Sequence, residues 1–220
     1  RERERERERK KQRKKKEKEK KESIMKKKIL VISKGLFHPS LICRQAFKKA
    51  LNNFTNMYDF TYENTLKGIE KLKDSDYTAV VLFFHEFKLD NSILNILKEY
   101  TNNGGGVFAV HGPMASFKTN KEYLDILGSR FTGHGKIEKI TVKDANTSFT
   151  TKDELYTHEH DPNNKVLFTS SYQGIDEPVM WTRTYGKGKV ACFSLGHCPK
   201  TFKIEEVRKI LFNALYYISN

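Results

Sequence analysis

Residues Thr78–Phe84 read TAVVLFF, a run with no charged side chain and a single hydroxyl. A strand wet on one face alternates apolar and polar residues. This one does not, so both of its faces must be covered, as in a parallel sheet with helices on either side. Two further runs repeat the pattern: Lys28–Ser33 (KILVIS) upstream and Gly106–Val110 (GVFAV) downstream. The segments between them have helical spacing. Pro39-Ser40 opens a helix carrying Leu41, Ile42, Ala46, Phe47, Ala50 and Leu51. Asp90-Asn91 starts another, with Ile93, Leu94, Ile96, Leu97 and Tyr100, which stops at Asn103-Gly104. Tyr58–Tyr62 reads as a strand and Thr65–Leu72 as a short helix.

Downstream the alternation loosens. Ile137–Val142 alternates apolar and charged residues, and Val166–Ser170 is apolar. Met180–Tyr185 faces Lys189–Leu195 across Gly186-Lys187-Gly188, a hairpin. A last helix over about Ile204–Tyr217 presents Val207, Ile210, Leu211, Ala214, Leu215 and Ile218 to the core. The expected class is α/β.

Charge divides the chain. Of its 220 residues, 41 are Lys or Arg and 27 are Asp or Glu, a net of +14. The first 28 residues hold +10 of this, in repeated Arg-Glu and Lys-rich sequence that has no apolar residue before Ile24. Such a segment buries too little apolar surface to offset its ordering entropy. Residues 1–27 are therefore read as a charged low-complexity extension, disordered or transiently helical, and residues 28–220 as one domain. With the body near charge balance, no specific nucleic-acid binding is expected of the fold; any polyanion contact belongs to the tail. No run is long and apolar enough to span a bilayer, and no secretory signal pattern opens the chain, so a cytoplasmic protein is expected. Cys43, Cys192 and Cys198 form no CxxC pair and read as free thiols.

Four of the seven histidines stand at the ends of expected strands: His38 after KILVIS, His85 after TAVVLFF, His111 after GVFAV and His197 after KVACFSL. Ligands of open α/β sheets bind outside the carboxyl ends of the strands, so these imidazoles are expected to share one rim. Imidazole exchanges protons near neutral pH and is the commonest metal ligand. Asn103–Pro113 (NGGGVFAVHGP) has the order of an elbow: strand, sharp turn, presented side chain. Its glycines precede the strand, which argues for a helix stop and against a dinucleotide loop.

In these motifs the chain resembles the ThuA-like (trehalose-utilisation protein A-like) domains of the class I glutamine amidotransferase-like superfamily. The resemblance runs from about Lys28 to Ile218. It is carried by Phe37-His38, the NGGGVFAVHGP segment, Tyr123–Leu127 with Gly128, and Phe131-Thr132-Gly133-His134. Asp153-Glu154-Leu155-Tyr156, Pro178–Gly188 (PVMWTRTYGKG) and Leu195-Gly196-His197 complete it. It implies a flavodoxin-like three-layer sandwich on a mostly parallel sheet, with a pocket at the carboxyl rim. It also implies an elbow where true amidotransferases carry a nucleophilic cysteine. Here His111 holds that place, so a Cys-dependent amidotransferase is not expected.

The family's link is to disaccharide and keto-sugar metabolism, so the expected partner is a small carbohydrate. His38, His111, Glu154 and His197 are the candidate catalytic residues, as acid/base groups or as ligands of a zinc-type divalent metal. No compact HxH or HExxH pair joins these matched positions, which tilts the reading toward acid/base work. Candidate substrate-binding residues are His85, His134, Tyr156, Trp181 and Arg183, although the hairpin position of Trp181 also suits core packing. The His158-Glu159-His160-Asp161 run reads as a solvated loop before Pro162. The charge block and Cys198-Pro199 depart from the family pattern. A non-catalytic sugar- or metabolite-binding module is the alternative function, and a homo-oligomer is left open.

Overall fold

The structure is a computed structural model that describes residues 26–36, 38–73 and 76–220, with Glu8 and Lys11. The charged extension falls almost entirely outside that set, as does Phe37.

Eleven strands and four α-helices follow one another among the described residues. They are β1 (Lys27–Ser33), α1 (Leu41–Leu51), β2 (Tyr58–Glu63), β3 (Tyr77–Phe83), α2 (Asn91–Asn102), β4 (Gly106–Val110) and α3 (Lys121–Leu127). Then come β5 (Ser129–His134), β6 (Glu138–Lys143), β7 (Ser148–Asp153), β8 (Tyr156–His160), β9 (Lys165–Tyr172), β10 (Ile175–Tyr185), β11 (Gly188–Phe193) and α4 (Glu205–Ser219). Leu66–Leu72 is a 3-10 helix.

A nine-stranded sheet has the order β2-β1-β3-β4-β11-β10-β9-β6-β7, and β5 pairs with β8 in a separate two-stranded sheet. The pairings from β2 through β11 are parallel. Those from β11 through β10, β9 and β6 to β7 are antiparallel. The parallel half is the part announced by TAVVLFF and its neighbours. Alternate residues of each central strand enter opposite layers. Ile29, Val31, Val81, Phe83, Phe108 and Phe193 pack with Phe47 and Leu51 of α1 and with Val207, Leu211 and Leu215 of α4. Leu30, Ile32, Val80, Leu82, Val107 and Cys192 pack with Ile93 and Leu97 of α2 and with Leu124 and Leu127 of α3. Full burial of each large apolar side chain stabilises by about 2 kcal/mol, which explains why these strands carry no polar alternation.

The antiparallel half does alternate. β6 and β7 bury Ile140, Val142, Phe149 and Thr151 and expose the residues between. One reading from sequence is corrected here. His158–His160 are not a solvated loop but the end of β8, paired with Ser129–Phe131 of β5. The imidazoles of His158 and His160 stand edge-on to Trp181, with centroids at 5.4 and 4.8 Å. His residues fill the inward positions of this strand where apolar side chains are the rule, so its period-2 signal was lost.

Candidate functional site

The parallel strands β1, β3, β4 and β11 are consecutive neighbours, and each delivers one of the four histidines from its carboxyl end. Their loops are fixed by local chemistry. After β1, Ser40 caps α1 by accepting from the Cys43 amide. The Arg44 guanidinium donates to the Gly35 and Ser33 carbonyls, which holds the loop carrying His38. After β4, the His111 amide still donates to the Phe193 carbonyl (2.8 Å), but the backbone then turns sharply at φ 55° and ψ −102°. A non-glycine residue held there is strained, as at the elbows of other α/β sites. The turn leaves no room for a side chain on the next residue. A Cβ on Gly112 would lie 2.2 Å from the Phe84 carbonyl oxygen.

After β11, the Gly196–Cys198 turn carries His197 and is anchored by Asp153, which is fully buried. Asp153 Oδ1 accepts from the amides of Glu154 (2.8 Å), His197 (3.0 Å) and Cys198 (3.2 Å). Its Oδ2 accepts from the Gly196 amide (3.2 Å) and the Thr201 hydroxyl. Burial pushes this carboxyl group up from the ordinary range, and the hydrogen bonds pull it back. Four N–H groups aimed at it fit the ionised form. The sequence reading quoted Asp153 within a motif but gave it no role. A carboxylate directly preceding a candidate site carboxylate was the available signal.

Asp153 ends β7 and Tyr156 begins β8, so Glu154 lies over the histidine rim. The four side chains converge: one ligand atom from each of His38, His111, Glu154 and His197 lies within 4.8 Å of the others. The ring of His38 is 4.9 Å from that of His197 and 5.3 Å from that of His111. Glu154 Oε2 is 3.5 Å from His197 Nδ1 and 3.8 Å from His111 Nε2, and its Oε1 lies 3.0 Å from His134 Nδ1. His111 Nδ1 donates to the Ser194 carbonyl at 2.7 Å, because a carbonyl can only accept. That contact fixes the tautomer and leaves the Nε2 lone pair facing the cluster. Tyr156 stacks on His111 at 4.2 Å. Its hydroxyl lies 3.0 Å from His111 Nε2 and 3.3 Å from His38 Nε2.

Desolvation sets the charge of the cluster. Burial lowers His38 to about 4, with the His197 imidazole adding to it, and holds His111 well below the usual range. Burial also lowers His85 and raises the Tyr156 phenol. Near pH 7, His38, His85 and His111 are therefore neutral and Tyr156 keeps its proton.

The second-tier residues divide. His85 lies 5.0 Å from His38, while His134 and Tyr156 touch the cluster directly. Trp181 and Arg183 are not brought to it. Trp181 is fully buried and its indole donates to the Leu127 carbonyl at 3.0 Å, so it belongs to the core, as its hairpin position also suggested. Arg183 pairs with Asp161 at 3.1 Å and bonds Asn164. Both point away because β10 lies beyond β11, on the far side from β1 and β3. The thiols are free and none is poised as a thiolate. Burial raises Cys43 to about 12 and raises Cys192 and Cys198 as well.

Solved structures of the same shape are numerous. A ThuA-like protein from Parabacteroides merdae ATCC 43184 superimposes with a TM-score of 0.74 at 17% identity, over 88% of this chain and 90% of that one. One from Bacteroides uniformis ATCC 8492 gives 0.72 at 15%, over 87% and 91%. A cytoplasmic protein of Salmonella typhimurium LT2 gives 0.63 at 15%, over 88% and 100%. At these identities the likeness concerns the fold. No curated protein matches in sequence. The family model described as trehalose utilisation matches residues 28–218, a span that includes all four histidines of the rim and Glu154. This chain belongs to the ThuA, or trehalose-utilisation, family.

Proposed function

We propose that the chain is a carbohydrate-processing enzyme acting on a disaccharide or keto-sugar, with a zinc-type divalent ion held by His38, His111, Glu154 and His197. The observation that carries this reading is the convergence of the four ligand atoms within 4.8 Å. Ligand distances of about 2.1 Å put the donors of a tetrahedral site roughly 3.4 Å apart, so small side-chain rotations close the set. The donors also fit chemically. His111 offers Nε2 with its tautomer fixed through Ser194, burial keeps His38 neutral, and His197 Nδ1 is buried without a hydrogen-bond partner. This supports the metal arm over proton transfer alone, although no HxH or HExxH pair joins these four positions.

A bound divalent ion supplies Lewis acidity, which polarises a sugar carbonyl or hydroxyl and makes water more acidic. The chain's own groups do the rest. Tyr156 keeps its proton and, with His111 Nδ1 committed to Ser194, donates a hydrogen bond to His111 Nε2 at 3.0 Å; once that lone pair goes to an ion, the hydroxyl is released to a substrate oxygen. His134 Nδ1 donates to the Gly135 carbonyl at 2.8 Å and stands 3.0 Å from Oε1 of Glu154, on the side of the carboxylate away from His111 and His197. Small-molecule carbohydrate is the proposed partner. The free thiols agree with a cytoplasmic location, and no described helix is long and apolar enough to cross a membrane.

Elemental analysis of the purified full chain tests the centre. A stoichiometric divalent ion is expected, and it should be lost in His38→Ala and His197→Ala. A screen of disaccharides and their 3-keto derivatives tests the activity, with turnover lost in Glu154→Ala. Absence of any ion with turnover intact would return the site to acid/base chemistry. Sugar binding without turnover in the parent protein would make it a binding module.

A further inference from the structure

Phe87 is 79% exposed and Leu36 is 76% exposed, on the loops that follow β3 and β1. Single exposed apolar side chains are common and need no function. These two differ in place and in rigidity. β1 and β3 are paired neighbours with Ser33 opposite Phe83, so both residues stand on the same rim as the histidines. The Phe87 ring meets His85 edge-on at 5.0 Å, and His85 meets His38 edge-on at 5.0 Å. The backbone beside Phe87 is tied down: the Glu86 amide donates to the Ser116 hydroxyl, and the Glu86 carbonyl accepts from the Phe117 amide. An ion pair between Glu86 and Lys34 ties this loop to the one carrying Leu36. The exposed ring is thus held facing solvent one imidazole away from the cluster.

Resting on the carbohydrate reading above, we propose that Phe87 and Leu36 form a second sugar subsite. The ligand of this rim then carries two linked rings, one at the His/Glu cluster and one against Phe87. Two successive ring spacings of 5.0 Å put the Phe87 centroid no more than about 10 Å from that of His38, a separation that suits adjacent units of a disaccharide. A pyranose presents an apolar C–H face that an aromatic ring covers, while its hydroxyls need donors and acceptors at the edge. His85 stands between the two subsites; one of its ring nitrogens is engaged with the Ala115 backbone, and the other is left for a hydroxyl near the linkage. The opposite wall is different. Phe131 already carries the Lys118 ammonium over its ring at 4.5 Å, which leaves Phe87, among the described residues, with the more open face for a sugar.

Calorimetric titration of the zinc-supplemented full chain with trehalose, 3-ketotrehalose and methyl α-glucopyranoside tests this. The parent should bind a two-ring sugar more tightly than the one-ring glucoside. Phe87→Ala should weaken two-ring binding by roughly three- to tenfold. It should leave glucoside binding and metal content unchanged, and Phe87→Trp should restore the difference. Equal two-ring affinity in the parent and in Phe87→Ala would overturn the subsite and leave the carbohydrate reading standing. No sugar binding by the parent would overturn both.

Discussion

Asp153 shows most directly how single residues set this site. Its carboxylate receives five donors and connects the segment holding Glu154 to the turn holding His197. Removing it leaves those donors buried and unpaired. Asp153→Ala should cost about 3 kcal/mol or more, read as a drop in the urea midpoint at constant slope. Asp153→Asn keeps the shape but turns an NH2 toward one set of donors. Its expected result is a folded protein with metal affinity reduced roughly tenfold to a hundredfold, the usual effect of losing support behind a ligand, measured by competition with a chelator. Unchanged affinity in a folded Asp153→Asn protein would show that the turn holds His197 without it. The strained backbone of His111 belongs to the same scale. Gly112 and Gly196 flank the cluster where a Cβ would strike the Phe84 carbonyl or the Phe202 ring, so the elbow has little freedom to rotate its imidazole away.

At the scale of elements, β8 combines a functional end with an unusual interior. Tyr156 opens it at the cluster. Two strand positions on, His158 is largely buried, and neither of its ring nitrogens has a hydrogen-bond partner. Desolvation lowers His158 to about 3, with the His160 imidazole contributing. The folded pKa is therefore below the unfolded value near 6.5. Below that value the unfolded chain takes up a proton that the native state refuses, so stability present above pH 6.5 is lost as pH falls toward 3. His158→Phe, of similar shape and without titration, should flatten the decline of the urea midpoint between pH 6.5 and pH 5 relative to the parent. An identical decline in both proteins would mean that other groups carry it.

This element also marks where the sequence was hard to read. The central strands were legible because burial on both faces demands uninterrupted apolar runs, and α4 because six of its inward positions follow the helical period. β5, β7 and β8 and the short α3 were not assigned as elements. β7 alternates in burial but places Thr151 and Asp153 at inward positions, β5 and β8 are of mixed polarity, and α3, although it buries Tyr123, Leu124, Ile126 and Leu127, is too short to show a helical period. The candidate site was legible for a related reason. A histidine immediately after an apolar run is a chemical anomaly at a known place in the fold, and Glu154 was found through its motif. The β8 pairing and the hold of Asp153 on the His197 turn depend on contacts across long stretches of chain, for which the adjacency of Asp153 to Glu154 was the one local sign.

For the molecule as a whole, charge and architecture are separable. The net of +10 in the first 28 residues leaves +4 for the rest. Residues 1–22 carry +7 of this, and deleting them should sharply weaken retention on heparin at low salt while leaving the thermal midpoint within about 2 °C. Undiminished retention by the truncated protein would locate a basic surface on the domain itself. The four converging side chains come from positions 38, 111, 154 and 197, spread over most of the folded chain, and no unfolded segment holds even two of them close together. Any ion bound there binds only the native state, so its free concentration adds to the free energy of unfolding by mass action, about 2.7 kcal/mol at a hundred times the dissociation constant. Cellular supply of that ion would then govern how long the protein survives proteolysis, independently of whether substrate is present.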